Sequence, residues 1–137
     1  MIVQNFRAKA DTRFAAWPEP GINEVARTAA VARLIFGNSI SLQVPPNLTQ
    51  NGYGTFLDAG INDWGGISPV TRDFINPEMA WPEIDALRAT TNAAGFQLRE
   101  RLAAYPEYLS WMPERLRQRA LTWTDDSGLV RPDQEAR

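Results

Sequence analysis

Amide and carboxylate side chains recur at the ends of three short apolar runs, and these are the residues equipped to do chemistry. Gln4, Asn5 and Arg7 follow the first run, Asn47 follows the second, and Asn62 and Asp63 sit on the third. Trp64, Gly65, Gly66, Ser68 and Thr71 come directly after. An asparagine carries a donor and an acceptor on one short arm, so it can read the hydrogen-bonding edge of a ligand. Arg7 can grip a carboxylate through two parallel bonds. Gly65-Gly66 lets backbone N–H groups approach an anion or ligand closely, and it suits a plain tight turn equally well. Trp64 can stack on a flat heterocycle or fill a core. Asp63 can accept a proton, although a lone carboxylate is weak evidence for acid–base work. Asn and Asp also satisfy turn backbones, and Ser68 and Thr71 suit capping as well as contact, so both readings stand at this point.

What the chain lacks narrows the field. It has no cysteine, which excludes disulfides, thiolate metal sites and a cysteine nucleophile. It has no histidine, so the commonest general base and metal ligand is missing too. A net charge of −2 gives no basic footprint for nucleic acid. No apolar run approaches the ~18 residues a membrane helix needs. Arg7, Lys9, Asp11 and Arg13 break any signal-peptide core, which makes a cytoplasmic location the default expectation.

Several elements must position these residues. Met1–Phe6 reads as a buried strand with a polar mouth. Ile22–Phe36 is the clearest helix: Asn23 can cap it, and Val25, Ala29, Ala32 and Phe36 recur at helical spacing. Ile22 and Leu34-Ile35 widen that face, Arg27 and Arg33 fall on the wetter side, and Gly37 is a natural stop. Ile40–Val44 alternates as a second strand, ended by Pro45-Pro46. A short helix around Thr55–Ala59 leads to a brief third strand, Ile61–Trp64. Ile67–Met79 is a thirteen-residue loop, and loops of that length inside compact domains are usually functional or disordered. Trp81-Pro82-Glu83 opens a helix to Ala94, Phe96–Leu102 suits a strand, and Pro113–Leu121 is an arginine-rich helix.

This order predicts an α/β fold with about three parallel strands, crossover helices and a C-terminal helical tail. A complete eight-stranded barrel takes about 250 residues, roughly 31 per strand–helix unit. A chain of 137 residues is therefore an open sheet or a partial (β/α) barrel. The expected organisation is a single domain over 1–137, with strand–helix units in 1–95 and a C-terminal strand and helix extension in 96–137.

Four ordered stretches carry a family resemblance: Ile2–Lys9, Ala30–Leu34, Pro45-Pro46-Asn47-Leu48 and Gly60–Thr71. Trp81-Pro82, Ala94-Gly95-Phe96, Arg101-Leu102 and Tyr105–Tyr108 continue it. Together they resemble the radical S-adenosylmethionine subunit of deazaflavin (FO) synthase, which makes 7,8-didemethyl-8-hydroxy-5-deazariboflavin. The resemblance implies that this chain is the C-terminal portion of such a barrel, about strands six to eight. It implies S-adenosyl-L-methionine and a 4Fe-4S cluster for the complete enzyme, with neither held by this chain alone. The family's three-cysteine motif has no counterpart here, so the chain alone is expected to be inactive. The implied substrate is a tyrosine–ribitylaminouracil adduct. Asn5, Asn47 and Asn62 then suit its uracil edge or ribityl hydroxyls, Asp63 is implied as a further ligand contact, and Arg7 suits an amino-acid carboxylate. Trp64, Gly65, Gly66 and Ser68 complete the implied contact set, and no residue is implied as a metal ligand. The expected partner is the missing N-terminal barrel portion. The competing reading is a non-catalytic half-barrel that pairs with a second copy or another chain through its open strand edges.

Overall fold

A computed structural model describes residues 1–49, 51–68 and 70–135, which divide into two compact units, Met1–Phe96 and Gln97–Arg137. In the first unit, three extended segments around residues 1–6, 40–44 and 61–64 run parallel. They meet through the single bridges Ile2–Gln43 and Gln43–Asp63, with the second segment in the middle. Gln43 N donates to Met1 O and Val3 N to Gln43 O, both at 2.8 Å. On the other side Asn62 N donates to Leu42 O at 3.2 Å and Val44 N to Asp63 O at 3.4 Å. The ladder stops where it must: Pro45 and Pro46 have no N–H to offer, and Gly65 turns away at φ +77°.

Helix α1 (Ile22–Phe36), α2 (Tyr53–Asp58) and α3 (Ile84–Ala93) complete this unit. The expected span of α1 is the observed one, but its cap differs. Asn23 lies inside the first turn, and the Glu24 carboxylate instead accepts the Gly21 N–H at 2.9 Å. Val25, Ala26, Ala29 and Ala32 form its buried stripe. Leu34 and Ile35, expected to widen that stripe, are 84% and 70% exposed. Arg33, expected on the wet side, folds back along the helix. Its Nε donates to Gly60 O at 2.6 Å, its Nη1 to Ile40 O at 3.1 Å and to Gly37 O, and its Nη2 to Asn62 Oδ1 at 3.0 Å. One guanidinium thus ties the end of α1 to the starts of the second and third segments. Phe56, Leu42, Val44 and Leu87 are fully enclosed, each contributing about 1.5–3 kcal/mol of burial.

In the second unit, a 3₁₀ turn (Pro106–Trp111) precedes α4 (Glu114–Leu121). Phe96–Leu102, expected as a strand, forms none, although Glu100 O accepts Val130 N at 2.9 Å. The Asp125 carboxylate organises the closing turn. It accepts Arg99 Nη2 at 2.8 Å and Ser127 N at 2.9 Å, and these bonds hold its carboxyl far below the usual carboxylate range.

Candidate functional site

Successive side chains of an extended segment point to opposite faces. The two bridges set Ile2, Gln43 and Asp63 in one row across the three segments. Their chain neighbours Val3, Leu42, Val44 and Trp64 point the other way and are buried, Val44 completely. Helix α1 lies on that second side, because Arg33 reaches Asn62, which shares the parity of Trp64. The first row is therefore an open face: Ile2 is 60% exposed, and Gln43 and Asp63 are half-buried.

On the open face Asp63 Oδ1 accepts two hydrogen bonds, from the Gly65 N–H and from Gln43 Nε2 at 3.2 Å. An ionised carboxylate only accepts, so the Gln43 amide nitrogen must face Asp63 and its carbonyl oxygen must face away. Gly65 leaves room for this arrangement. A Cβ built there would stand 3.1 Å from Gln43 Nε2, on a backbone already at φ +77°.

A second cluster closes the mouth beyond the segment ends. Asn5 Nδ2 donates to Leu48 O at 2.9 Å, and Asn47 Nδ2 donates to Asp73 Oδ2 at 2.9 Å. Asn47 is 1% exposed, and the side-chain oxygens of Asn5 and Asn47 are buried without a hydrogen-bond partner among the described residues. Burial pushes the Asp73 carboxyl up. The N–H groups of Ile75 and Asn76, with the side-chain amides of Asn76 and Asn47, outweigh that and hold it below its ordinary value. The same loop reaches the first segment, where Lys9 Nζ meets Glu78 Oε1 at 2.7 Å and Arg7 Nη2 meets Met79 Sδ at 3.4 Å.

The expected site residues fall into separate groups. Asp63 and Gly65 stand together on the open face. Asn5 and Asn47 are joined in the closed mouth, since Asn5 bonds the carbonyl next to Asn47. Asn62 turns to the helix side, where its oxygen accepts from Arg33 and from Leu42 N at 2.8 Å. Trp64 is buried edge-on to Tyr53 with ring centroids 5.5 Å apart, and burial raises the Tyr53 hydroxyl pKa. Arg7 spends its Nη1 on Glu19 at 2.7 Å. Ser68 pairs locally with Thr71 at 2.7 Å, and Gly66 is exposed with open space where a Cβ would stand. Sequence reasoning missed Gln43 and Asp73. The signal for Gln43 was present: Ser41 and Gln43 alternate with Ile40, Leu42 and Val44, which marks them as the opposite face. Asp73 sits in an aperiodic loop and gave no such signal.

Known proteins bear on this arrangement. A Streptomyces coelicolor protein named FO synthase is 49% identical over 138 aligned positions, covering 97% of this chain and 16% of its own length. A Methanopyrus kandleri protein named 7,8-didemethyl-8-hydroxy-5-deazariboflavin synthase is 46% identical, covering 96% of this chain and 40% of its own. The chain belongs to the FO synthase family. It is a portion of an FO synthase, spanning between 16% and 40% of the length of these two relatives. This favours the reading as a portion of FO synthase over the self-pairing half-barrel. No family model matches the chain, and no solved structure matches it. The chain has no cysteine, and no three potential metal-ligand side chains converge among the described residues. No helix among the described residues is long and apolar enough to cross a membrane.

Proposed function

We propose that this portion closes the C-terminal side of a radical S-adenosylmethionine barrel. In this reading the three parallel segments are its last strands, and the open face of Gln43 and Asp63 lines the substrate cavity. The activity is formation of the 5-deazaflavin ring of 7,8-didemethyl-8-hydroxy-5-deazariboflavin from a tyrosine–ribitylaminouracil adduct. The observation that carries the reading is a polar row, Gln43 and Asp63, on the face of a parallel ladder opposite α1, in a chain that matches FO synthases along nearly its whole length. All-parallel sheets are covered on both faces, so a polar face left open in this portion is one that the rest of the barrel encloses. The cluster and the S-adenosylmethionine bound to it belong to the remainder of the enzyme, which is the partner this portion requires. The residues here bind and orient substrate and exclude water. Asp63 fixes Gln43 and the Gly65 turn, and the loop across Asp73 roofs the mouth.

Hydrogen exchange on the complete FO synthase, with and without the adduct, tests this reading. The amides from Asp63 to Gly66 are expected to slow when the adduct binds. Unchanged exchange there, under conditions where the adduct is bound, would refute the assignment of this face to the cavity.

A further inference from the structure

The side chain on the middle segment carries more than a lining role. We infer that Gln43 determines ligand specificity, its carboxamide oxygen accepting a hydrogen bond from an N–H or O–H of the bound adduct, and that Asp63 is the positioning residue that turns this oxygen outward. The inference rests on the reading of the open face as the cavity wall.

Three observations fix the direction of the amide. Asp63 Oδ1 takes the Gln43 Nε2 proton at 3.2 Å, and an ionised carboxylate has no proton to give in return. The Gly65 N–H holds that same carboxylate oxygen from the other side, so Asp63 is itself anchored to the backbone two residues on. The third is the absent side chain at Gly65, where a Cβ would press on the Gln43 nitrogen at 3.1 Å. Gln43 is also the one residue that both parallel bridges share, so its backbone is held on either side. A glutamine held this way commits one Nε2–H to Asp63 and turns its oxygen away from the carboxylate. A ligand that offers a donor at that oxygen gains a bond, and one that offers an acceptor there meets two oxygens in opposition. The uracil imide and the ribityl hydroxyls are donors of the required kind.

The test uses the complete FO synthase without S-adenosylmethionine, titrated with the adduct and with analogues of it: N-methylated at the uracil imide, and deoxygenated at each ribityl carbon. Gln43→Leu is expected to weaken adduct binding roughly tenfold, as the loss of one hydrogen bond leaves a ligand donor unpaired. Asp63→Leu is expected to match it, because the Gln43 amide loses the acceptor that orients it. One analogue should bind the parent weakly, and its disadvantage should vanish in Gln43→Leu. A residue of merely structural role does not produce that selective cancellation. Equal binding of all analogues to the parent protein overturns the inference without any variant having to fold. If the Asp63–Gly66 amides are protected by the adduct while Gln43→Leu binds normally, the cavity reading survives and this inference fails. Absent protection fails the cavity reading itself.

Discussion

Two carboxamide–carboxylate pairs stand four residues apart on one stretch of chain, and they do different things. Asn47 gives its Nδ2 proton to Asp73 at 2.9 Å, and Gln43 gives its Nε2 proton to Asp63 at 3.2 Å. The bond is the same in both, but Asn47 is enclosed and Gln43 is half-buried on the open face. In the closed mouth the pair joins a loop to the end of the middle segment. On the open face it aims an amide outward. Burial, not residue type, separates a fastening from a reader. A buried polar group left without its partner costs about 1–3 kcal/mol, whereas an exposed one recovers water. The closed pair should therefore be read in stability and the open pair in binding.

The largest disturbance acts on both pairs at once. Arg33 holds the ladder on which they are mounted, with bonds to the carbonyls of Gly60, Ile40 and Gly37 and to Asn62 Oδ1. Arg33→Ala is expected to destabilise the fold by about 2–4 kcal/mol, read as a lower denaturant midpoint, with adduct binding weakened as well. Next comes the closed pair alone. Asp73→Ala strips partners from the Asn47 amide, from the Asn76 amide and from the Ile75 and Asn76 N–H groups. The expected loss is about 1–3 kcal/mol of stability, with faster amide exchange from residue 73 to 76. A variant equal to the parent in both readouts would erase the contrast between the pairs.

The open pair has its own, smaller perturbation. Gly65→Ala puts a methyl 3.1 Å from Gln43 Nε2 on a backbone at φ +77°. Left-handed strain of about 1–2 kcal/mol is expected for the alanine. Adduct affinity should fall with it, because the Gln43 amide must move. If stability falls and affinity does not, the orientation of Gln43 is irrelevant to the ligand.

How much of this was legible in the sequence depends on the range of the forces involved. Helix α1 was readable from Val25, Ala29, Ala32 and the stop at Gly37, since spacing and a terminating glycine are local properties. The family was readable because its motifs lie in order along the chain. Asn62 and Asp63 read as one site because they are adjacent, yet the period of an extended segment puts them on opposite faces. Only the pairing with the middle segment shows which face is open. Arg33 was assigned to the wet side by the position of its Cβ, while its long arm reaches three carbonyls that no periodicity reports. Phe36 has a core residue's spacing but is partly exposed at the last turn of α1.

The gentlest way to sharpen the contrast is acid. The Asp73 carboxyl is held below its ordinary value in the folded chain, so its ionised form is the one the fold prefers. Such a group stabilises above its unfolded pKa of about 3.9, and that stability is lost as pH falls from there through the lower folded value. The comparison is with Asp73→Asn, which keeps the shape but cannot ionise. The stability difference between parent and variant should be level above about pH 5 and should shrink steadily below about pH 4. Asp73 is only half-buried and solvent screens it, so the whole change should be the smallest of the series. A difference that stays level down the acid limb means the ionised carboxylate is not what fastens the loop. Asn47 would then be held by shape alone, and the two pairs would differ in more than burial.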